Sequence, residues 1–322
     1  MKNKWAKIIL SVAMLITTIF PNVVSVKATA SEEYEIYPTV QKLDYKEGNF
    51  IIQNSVNVVF EEGIDTYTQQ KLTDVLKNKG IQMNVGSEKT DATTNILVGI
   101  KDSGKYVDTY AKNNVAFDAS TFEGTFDPYV LDIQDGVITI LGESSDGAYY
   151  GIVSLMHILN QIDGKRVRNL TINDYADTQT RGFIEGYYGI PWSNEDRMAL
   201  MEFGGNFKMT SYIFAPKDDP YHKNLWREEY PQAELNEIKK MVEVGLASKC
   251  RFVWTAHPFM GGFDANRVDE EIAALLNKFE QLYAAGVRQF GVLGDDVGNL
   301  DRNVVIKMMN AVSEWGEAKG DV

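Results

Sequence analysis

Cysteine is nearly absent from this chain. Cys250 is the only one among 322 residues, so no disulfide can form within it and a packed core must supply its stability. A lone thiol is most simply a small buried hydrophobe. Basic charge is also scarce. Lysine and arginine number 32 against 45 aspartates and glutamates, for a formal charge of −13. A surface of that sign repels phosphate backbones and argues against nucleic acid as a partner. Only three histidines occur, at 157, 222 and 257. His222 and His257 lack metal-ligand spacing and read as structural or rim residues. Long apolar runs are missing after the first thirty residues, so no later stretch reads as a membrane span.

What is present begins with an address. Lys2, Lys4 and Lys7 form a positive region, Ile8 to Phe20 is an apolar stretch, and Ala28-Thr29-Ala30 is a small-x-small cleavage pattern. Residues 1–30 therefore read as a secretory signal, and the expected location is extracellular. Cleavage would also remove Lys27 and leave the mature chain more acidic still.

Residues 31–177 read as an α+β module. Phe50 to Phe60 is β-rich. Thr66 to Lys79 is a predicted helix with Leu72, Val75 and Leu76 on one face and Gly80 as its stop. Asn95 to Ile100 is a buried strand. Tyr129 to Gly142 is a hairpin turning at Asp135-Gly136. Ser145 or Asp146 is placed to cap a helix carrying Tyr149, Ile152, Leu155, Met156 and Leu159 at helical spacing. Met156 and His157 read as packing residues, and nothing in this module looks catalytic.

After Asp177 strands and helices alternate. "RGFIEGYYG", "MTSYIFAPK", "RFVWTAHP" and "RQFGVLGDD" are predicted strands. Helices are expected from Ser193 onward, over Ala233–Ala247, over Asp269–Ala285 with Gly286 as the stop, and over Asn303–Ala318. This rhythm predicts parallel strands with crossover helices, an α/β class of the (β/α)8 barrel type, with polar strand ends forming the active face. Residues 178–322 supply about four such units, so the expectation is the first half of a barrel in a truncated chain.

The segments "RGFIEGYYGIPWS" (Arg181 to Ser193), "YIFAPKDDPYH" (Tyr212 to His222) and "FGVLGDDVG" (Phe290 to Gly298) resemble glycoside hydrolase family 84. That family includes bacterial β-N-acetylglucosaminidases, some labelled hyaluronidases, and the O-GlcNAcases. The resemblance is strong from Thr178 to Val322 and extends to the upstream module, which bacterial members also carry.

Glycoside hydrolysis needs an acid for the leaving oxygen and a stabiliser for the oxocarbenium-like centre. A 2-acetamido sugar can supply its own carbonyl oxygen as nucleophile, so one carboxylate must hold the acetamido N–H while a second serves as acid and then base. Asp295 and Asp296 sit where such a pair is wanted. On a regular strand they would face opposite ways. Gly294 offers the local twist that turns both inward, and two close carboxylates push one pKa upward.

The resemblance implies that Asp295 orients the acetamido group and that Asp296 is the general acid/base. An oxazoline intermediate and retained configuration follow. The resemblance also implies that Gly186 and Lys217 contact sugar hydroxyls. Tyr187, Tyr188 and Trp192 suit either a pocket wall or ordinary core, Asp218 and Asp219 suit a cap or a counter-charge for Lys217, and no metal or organic cofactor is expected. The expected partner is carbohydrate, as terminal β-linked N-acetylglucosamine of glycoconjugates. Two alternatives stay open: a catalytically impaired sugar-binding remnant lacking the residues a second half-barrel would bring, and a Gly-Asp-Asp metal site of a nucleotide enzyme, against which export and acidity argue.

Overall fold

Asp135 and Gly136 both adopt positive φ, 49° and 86°, and this turn joins β5 (Phe126–Gln134) to β6 (Val137–Gly142) as the predicted antiparallel hairpin. The computed structural model describes residues 33–322 apart from Ala92, Asp218 and Asn299, so the predicted signal at 1–30 lies outside the described residues. Around the hairpin runs a seven-stranded mixed sheet. It adds β1 (Lys42–Ile51), β2 (Ser55–Phe60), β3 (Gln82–Val85), β4 (Asn95–Ile100) and β7 (Arg166–Ala176) in the order β1-β7-β5-β6-β4-β2-β3. β4 is parallel to both its neighbours, β6 and β2. That central position explains why Asn95 to Gly99 is buried without alternation.

Helix α1 (Thr66–Asn78) is capped by Asp65, which accepts from the Thr68 N–H, and it buries Leu72, Val75 and Leu76 as expected. α2 spans Tyr106–Asn114. α3 (Ser145–Gln161) lies close against the hairpin, since a Cβ on Gly151 would stand 2.6 Å from Ile140 Cγ2. Its cap is Ser144, not Ser145 or Asp146. The reason is that both predicted caps are engaged elsewhere. Ser145 Oγ accepts from the Asp65 N–H and reaches Thr68 Oγ1, while Asp146 pairs with Lys249 and Arg251.

The second sheet is built from β8 (Gly182–Glu185), β9 (Ser211–Phe214), β10 (Arg251–Ala256) and β11 (Gln289–Val292). All are parallel and lie in sequence order. The crossovers are α4 (Asn194–Gly205), α5 (Gln232–Ser248) and α6 (Val268–Ala284), and α7 (Arg302–Lys319) follows β11. β8 and β9 can pair because position 182 is glycine: a Cβ there would lie 1.7 Å from the Ser211 carbonyl oxygen. Tyr212, Trp254, Leu275, Phe279, Leu282 and Cys250 are fully buried in one apolar cluster beneath these helices. The free thiol is thus a core atom.

The first sheet ends at Ala176 and the second begins at Gly182, yet residues Glu35–Val322 form one compact unit. Charged pairs join the sheets. Lys208 reaches Asp174, Arg181 reaches Asp127, and Asp146 holds both Lys249 and Arg251. His157, read as a packing residue, bonds the Asn206 carbonyl oxygen at 2.9 Å and accepts from the Tyr37 N–H at 3.2 Å. Among the described residues no helix is long and apolar enough to cross a membrane.

Candidate active site

β11 stops at Val292, and Leu293 still donates to the Ala256 carbonyl oxygen. The chain then turns through Gly294, Asp295 and Asp296 at the carboxyl edge of the parallel sheet. The left-handed residue is Asp296 itself, at φ 53°, and not Gly294. Aspartate is one of the few side chains that tolerates this conformation. The twist therefore comes from the second carboxylate of the pair.

Asp295 is gripped from beneath. Its Oδ2 accepts from Lys217 Nζ at 2.7 Å and its Oδ1 from His257 Nε2 at 2.9 Å. The Lys217 side chain is 2% exposed and that of Asp295 52% exposed, so a buried cation presents a carboxylate to solvent. The Lys217 hydrogen bond, with help from His257, outweighs partial burial and holds the Asp295 carboxyl at about 2. Repulsion within the Asp pair is therefore not what sets Asp295; the lysine decides it. Asp296 is exposed, and no hydrogen bond or ion pair to it occurs among the described residues.

Two histidines form the layer below. His222 Nδ1 lies 2.7 Å from the Thr255 carbonyl oxygen, to which it must donate. Burial pushes its pKa down to about 4, so the ring is neutral and Nε2 carries a lone pair. His257 follows β10 directly, and its N–H donates to the His222 carbonyl oxygen. Because Asp295 is an ionised acceptor, His257 Nε2 carries the hydrogen between them. His222 Nε2 and His257 Nδ1 are buried without partners among the described residues.

The loop after β8 carries the remaining predicted residues. Lys217 N–H donates to the Tyr187 carbonyl oxygen at 3.3 Å, which ties that loop to the end of β9. The Tyr187 and Trp192 rings pack with centroids 5.4 Å apart. Tyr188 is exposed, and its hydroxyl lies 3.8 Å from Met260 Sδ in the loop after β10. A Cβ on Gly186 would meet only Ile184, at 3.5 Å, so the backbone there is approachable. Asp219 does not counter Lys217; it accepts from the Tyr221 and His222 N–H groups and from the Tyr230 hydroxyl. Asp218 lies outside the described residues.

Under this loop sits a pair that pattern reading missed. Glu185, wholly buried, accepts from Arg197 Nε at 2.8 Å and Nη2 at 2.9 Å, and also from the Tyr212 hydroxyl and the Trp192 N–H. The fork fixes the root of Gly186-Tyr187-Tyr188 against α4. The structure thus unites Lys217, His257 and Asp295, sets Asp296 beside them, and leaves Gly186 and Tyr188 on the same edge with no side-chain hydrogen bond to the pair among the described residues. Among the described residues no cluster of three or more His, Cys, Asp or Glu is placed to hold a metal.

Asp295 and Asp296 thus lie at the carboxyl edge of the parallel sheet, the edge on which parallel βα enzymes carry their catalytic residues. A β-N-acetylglucosaminidase family model matches residues 181–320, and a model of glycosyl hydrolase family 20, domain 2, matches residues 33–175. The solved structure of CpGH84D superposes with a TM-score of 0.84 at 48% identity, covering 90% of this chain and 49% of that one. CpGH84B gives 0.77 at 29% identity, covering 88% and 47%. The protein O-GlcNAcase of Rattus norvegicus is 28% identical over 138 residues, which are 43% of this chain and 14% of the relative. The chain belongs to glycoside hydrolase family 84. It spans about half the length of the solved relatives and a seventh of the O-GlcNAcase.

Proposed function

We propose that this chain is the amino-terminal part of an exported, retaining β-N-acetylglucosaminidase that acts on terminal β-linked N-acetylglucosamine by substrate-assisted catalysis. The observation that carries the reading is the unequal treatment of the two carboxylates. Asp295, held near 2 by Lys217 and His257, is ionised throughout the working range. It can accept the acetamido N–H and sharpen the carbonyl oxygen as nucleophile, but it cannot donate a proton. The acid role falls to Asp296. Protonation of the glycosidic oxygen by Asp296 would accompany closure of the oxazoline, and Asp296 would then take a proton from the water that opens it. In this scheme Lys217 positions Asp295, and its remaining N–H groups are available to a sugar hydroxyl. Gly186 offers close backbone approach, and Tyr188 offers an exposed aromatic face on the same edge of the sheet. No step calls for a metal.

We read residues 31–177 as the accessory α+β domain and 178–322 as four units of an eight-unit barrel. β8 and β11 are the edges of the four-stranded sheet. Ile184 on β8 and Leu300, Ile306 and Met309 beyond β11 are exposed, which supports continuation of the sheet at both flanks. The same openness supports a second reading, a remnant that binds sugar without turning it over, because positioning supplies much of catalysis.

The test is release of an aryl leaving group from aryl β-N-acetylglucosaminide by residues 31–322, with Asp295→Asn and Asp296→Asn variants and with chelator. Chelator-insensitive turnover lost in both variants supports the enzyme reading. Sugar binding without turnover supports the remnant. Turnover that survives Asp296→Asn would sink the acid assignment.

A further inference from the structure

Parallel strands give the second sheet two distinct edges. Lys217 and Asp295 follow strands, whereas Arg181 and Lys208 precede β8 and β9. At this opposite, amino edge a cleft of about 260 Å³ opens between the two sheets. Its floor is Tyr129, Tyr150, Asp174 and Lys208, all buried, and Asp127 and Arg181 stand at its side.

The floor is a closed polar network with one exception. Lys208 Nζ donates to Tyr129 Oη and to Asp174 Oδ2, both at 2.8 Å. Tyr129 Oη donates to Asp174 Oδ2 at 2.7 Å, and Asp174 Oδ1 accepts from the Gln41 N–H at 3.0 Å. Arg181 Nη2 donates to Asp127 Oδ2 at 2.8 Å. The exception is Tyr150. Its side chain belongs to a residue 1% exposed, and its hydroxyl has no partner among the described residues. The Lys208 ammonium also has a third N–H beyond the two bonds it makes. Native structures seldom leave a buried hydroxyl unmet.

Charge selects the class of ligand. Each cation in the cleft is already matched to a carboxylate, and Asp177 on the rim adds a further negative charge. A phosphate or carboxylate would meet Asp127 and Asp174 with the cations spent. A neutral ligand carrying several hydroxyls fits donors and acceptors alike. The volume lies just below that of most ligand clefts, about 300 to 1,000 Å³, so a single ring fits better than an oligomer. We propose that this cleft is a second binding site, separate from Asp295, for a neutral hydroxyl-rich molecule of monosaccharide size, with the Tyr150 hydroxyl as a primary contact. This inference does not depend on the proposed activity.

Saturation-transfer NMR on the Asp295→Asn chain tests it. Glucose, galactose and N-acetylglucosamine are the sugar probes, glycerol and inositol the polyol probes, and inorganic phosphate the anion probe. Tyr150→Phe keeps the ring and removes the hydroxyl. The expected result is a signal from at least one neutral probe that weakens tenfold or more in Tyr150→Phe, with the ligand-free melting temperature unchanged or raised. Signals confined to sugars name a saccharide site, and signals shared by polyols name a general hydroxyl site. Asp127→Asn, at the side of the cleft, should weaken the same probe and serves if Tyr150→Phe fails to fold. The proposal is overturned if no neutral probe responds to either variant, if phosphate alone binds, or if Tyr150→Phe lowers the melting temperature while binding is unchanged, which would mark the hydroxyl as satisfied by water alone.

Discussion

Lys217 Nζ stands 2.7 Å from Asp295 Oδ2, the one buried and the other half exposed, across 78 residues of chain. The ends of β9 and β11 are thereby locked to each other through a charge pair. The pair sets the protonation of Asp295, and the sign is definite. A carboxyl held near 2 against an ordinary 3.8 contributes stability above the ordinary value and loses it as pH falls toward 2. Solvent screens half of Asp295, so that contribution is small. Lys217→Met should therefore change stability little while raising the Asp295 pKa toward the ordinary carboxylate value. Carbon-13 titration of the Asp295 carboxyl checks it. A midpoint that stays at about 2 would show that the lysine is not the cause.

His257 contributes to the same carboxylate, but less than Lys217 does. In His257→Leu the Asp295 midpoint should rise, by less than in Lys217→Met. The double variant should rise further than either. A larger rise in His257→Leu than in Lys217→Met would reverse the order of the two supports.

Why these residues differed in visibility follows from their physics. The alternation of strands and helices after Asp177 is written in apolar periodicity, and so is α1, whose buried Leu72, Val75 and Leu76 were expected. Asp295 and Asp296 were legible through neighbouring motifs. His257 was not, because a single histidine after a strand carries no spacing signal; only the parallel register of β10 and β11 brings it beneath Asp295. Glu185 and Arg197 lie twelve residues apart on different elements, a separation with no helical or strand period. Helix caps failed for a related reason. Ser144, Ser145 and Asp146 are all good caps locally, and the choice among them was made by Thr68, Lys249 and Arg251, far away in sequence.

Glu185 and Arg197 allow a test of what a buried pair does here. Removing the arginine alone leaves a wholly buried carboxylate with only the Tyr212 hydroxyl and the Trp192 N–H. Arg197→Met should cost about 3–5 kcal/mol, whereas exchanging both partners, Glu185→Leu with Arg197→Met, should cost far less. Urea unfolding of the three proteins measures the difference. If the double exchange costs as much as the single one, the pair is stabilising outright and not merely mutually compensating.

Lys278 on α6 gives a prediction at alkaline pH. The residue is wholly buried, and its ammonium donates to the Glu228 carbonyl oxygen while facing Tyr230, Tyr221 and Trp254 at 4.1, 5.0 and 5.8 Å from their ring centroids. Burial pushes its pKa down from 10.5 to about 8, against the pull of Asp219, Glu228 and Glu229. Below pH 8 both folded and unfolded chains bind this proton, and the cost of burying the charge is at its full value. Between about 8 and 10.5 the unfolded chain keeps the proton that the folded chain has released, so stability rises with pH. A shift of that size corresponds to roughly 3 kcal/mol. The tyrosines run the other way: burial holds Tyr230 well above its ordinary value, so its contribution falls once unfolded tyrosines ionise near 10. The comparison therefore belongs between pH 7 and 9.5, where the lysine dominates. Wild type should gain stability with pH in urea titrations across that window. Lys278→Met should flatten the gain and be at least as stable as wild type at pH 7, because methionine fills the stem's volume without a charge to bury. A slope that persists in Lys278→Met would assign it to another group, and a marked loss at pH 7 would mean that the surrounding rings repay the ammonium in full.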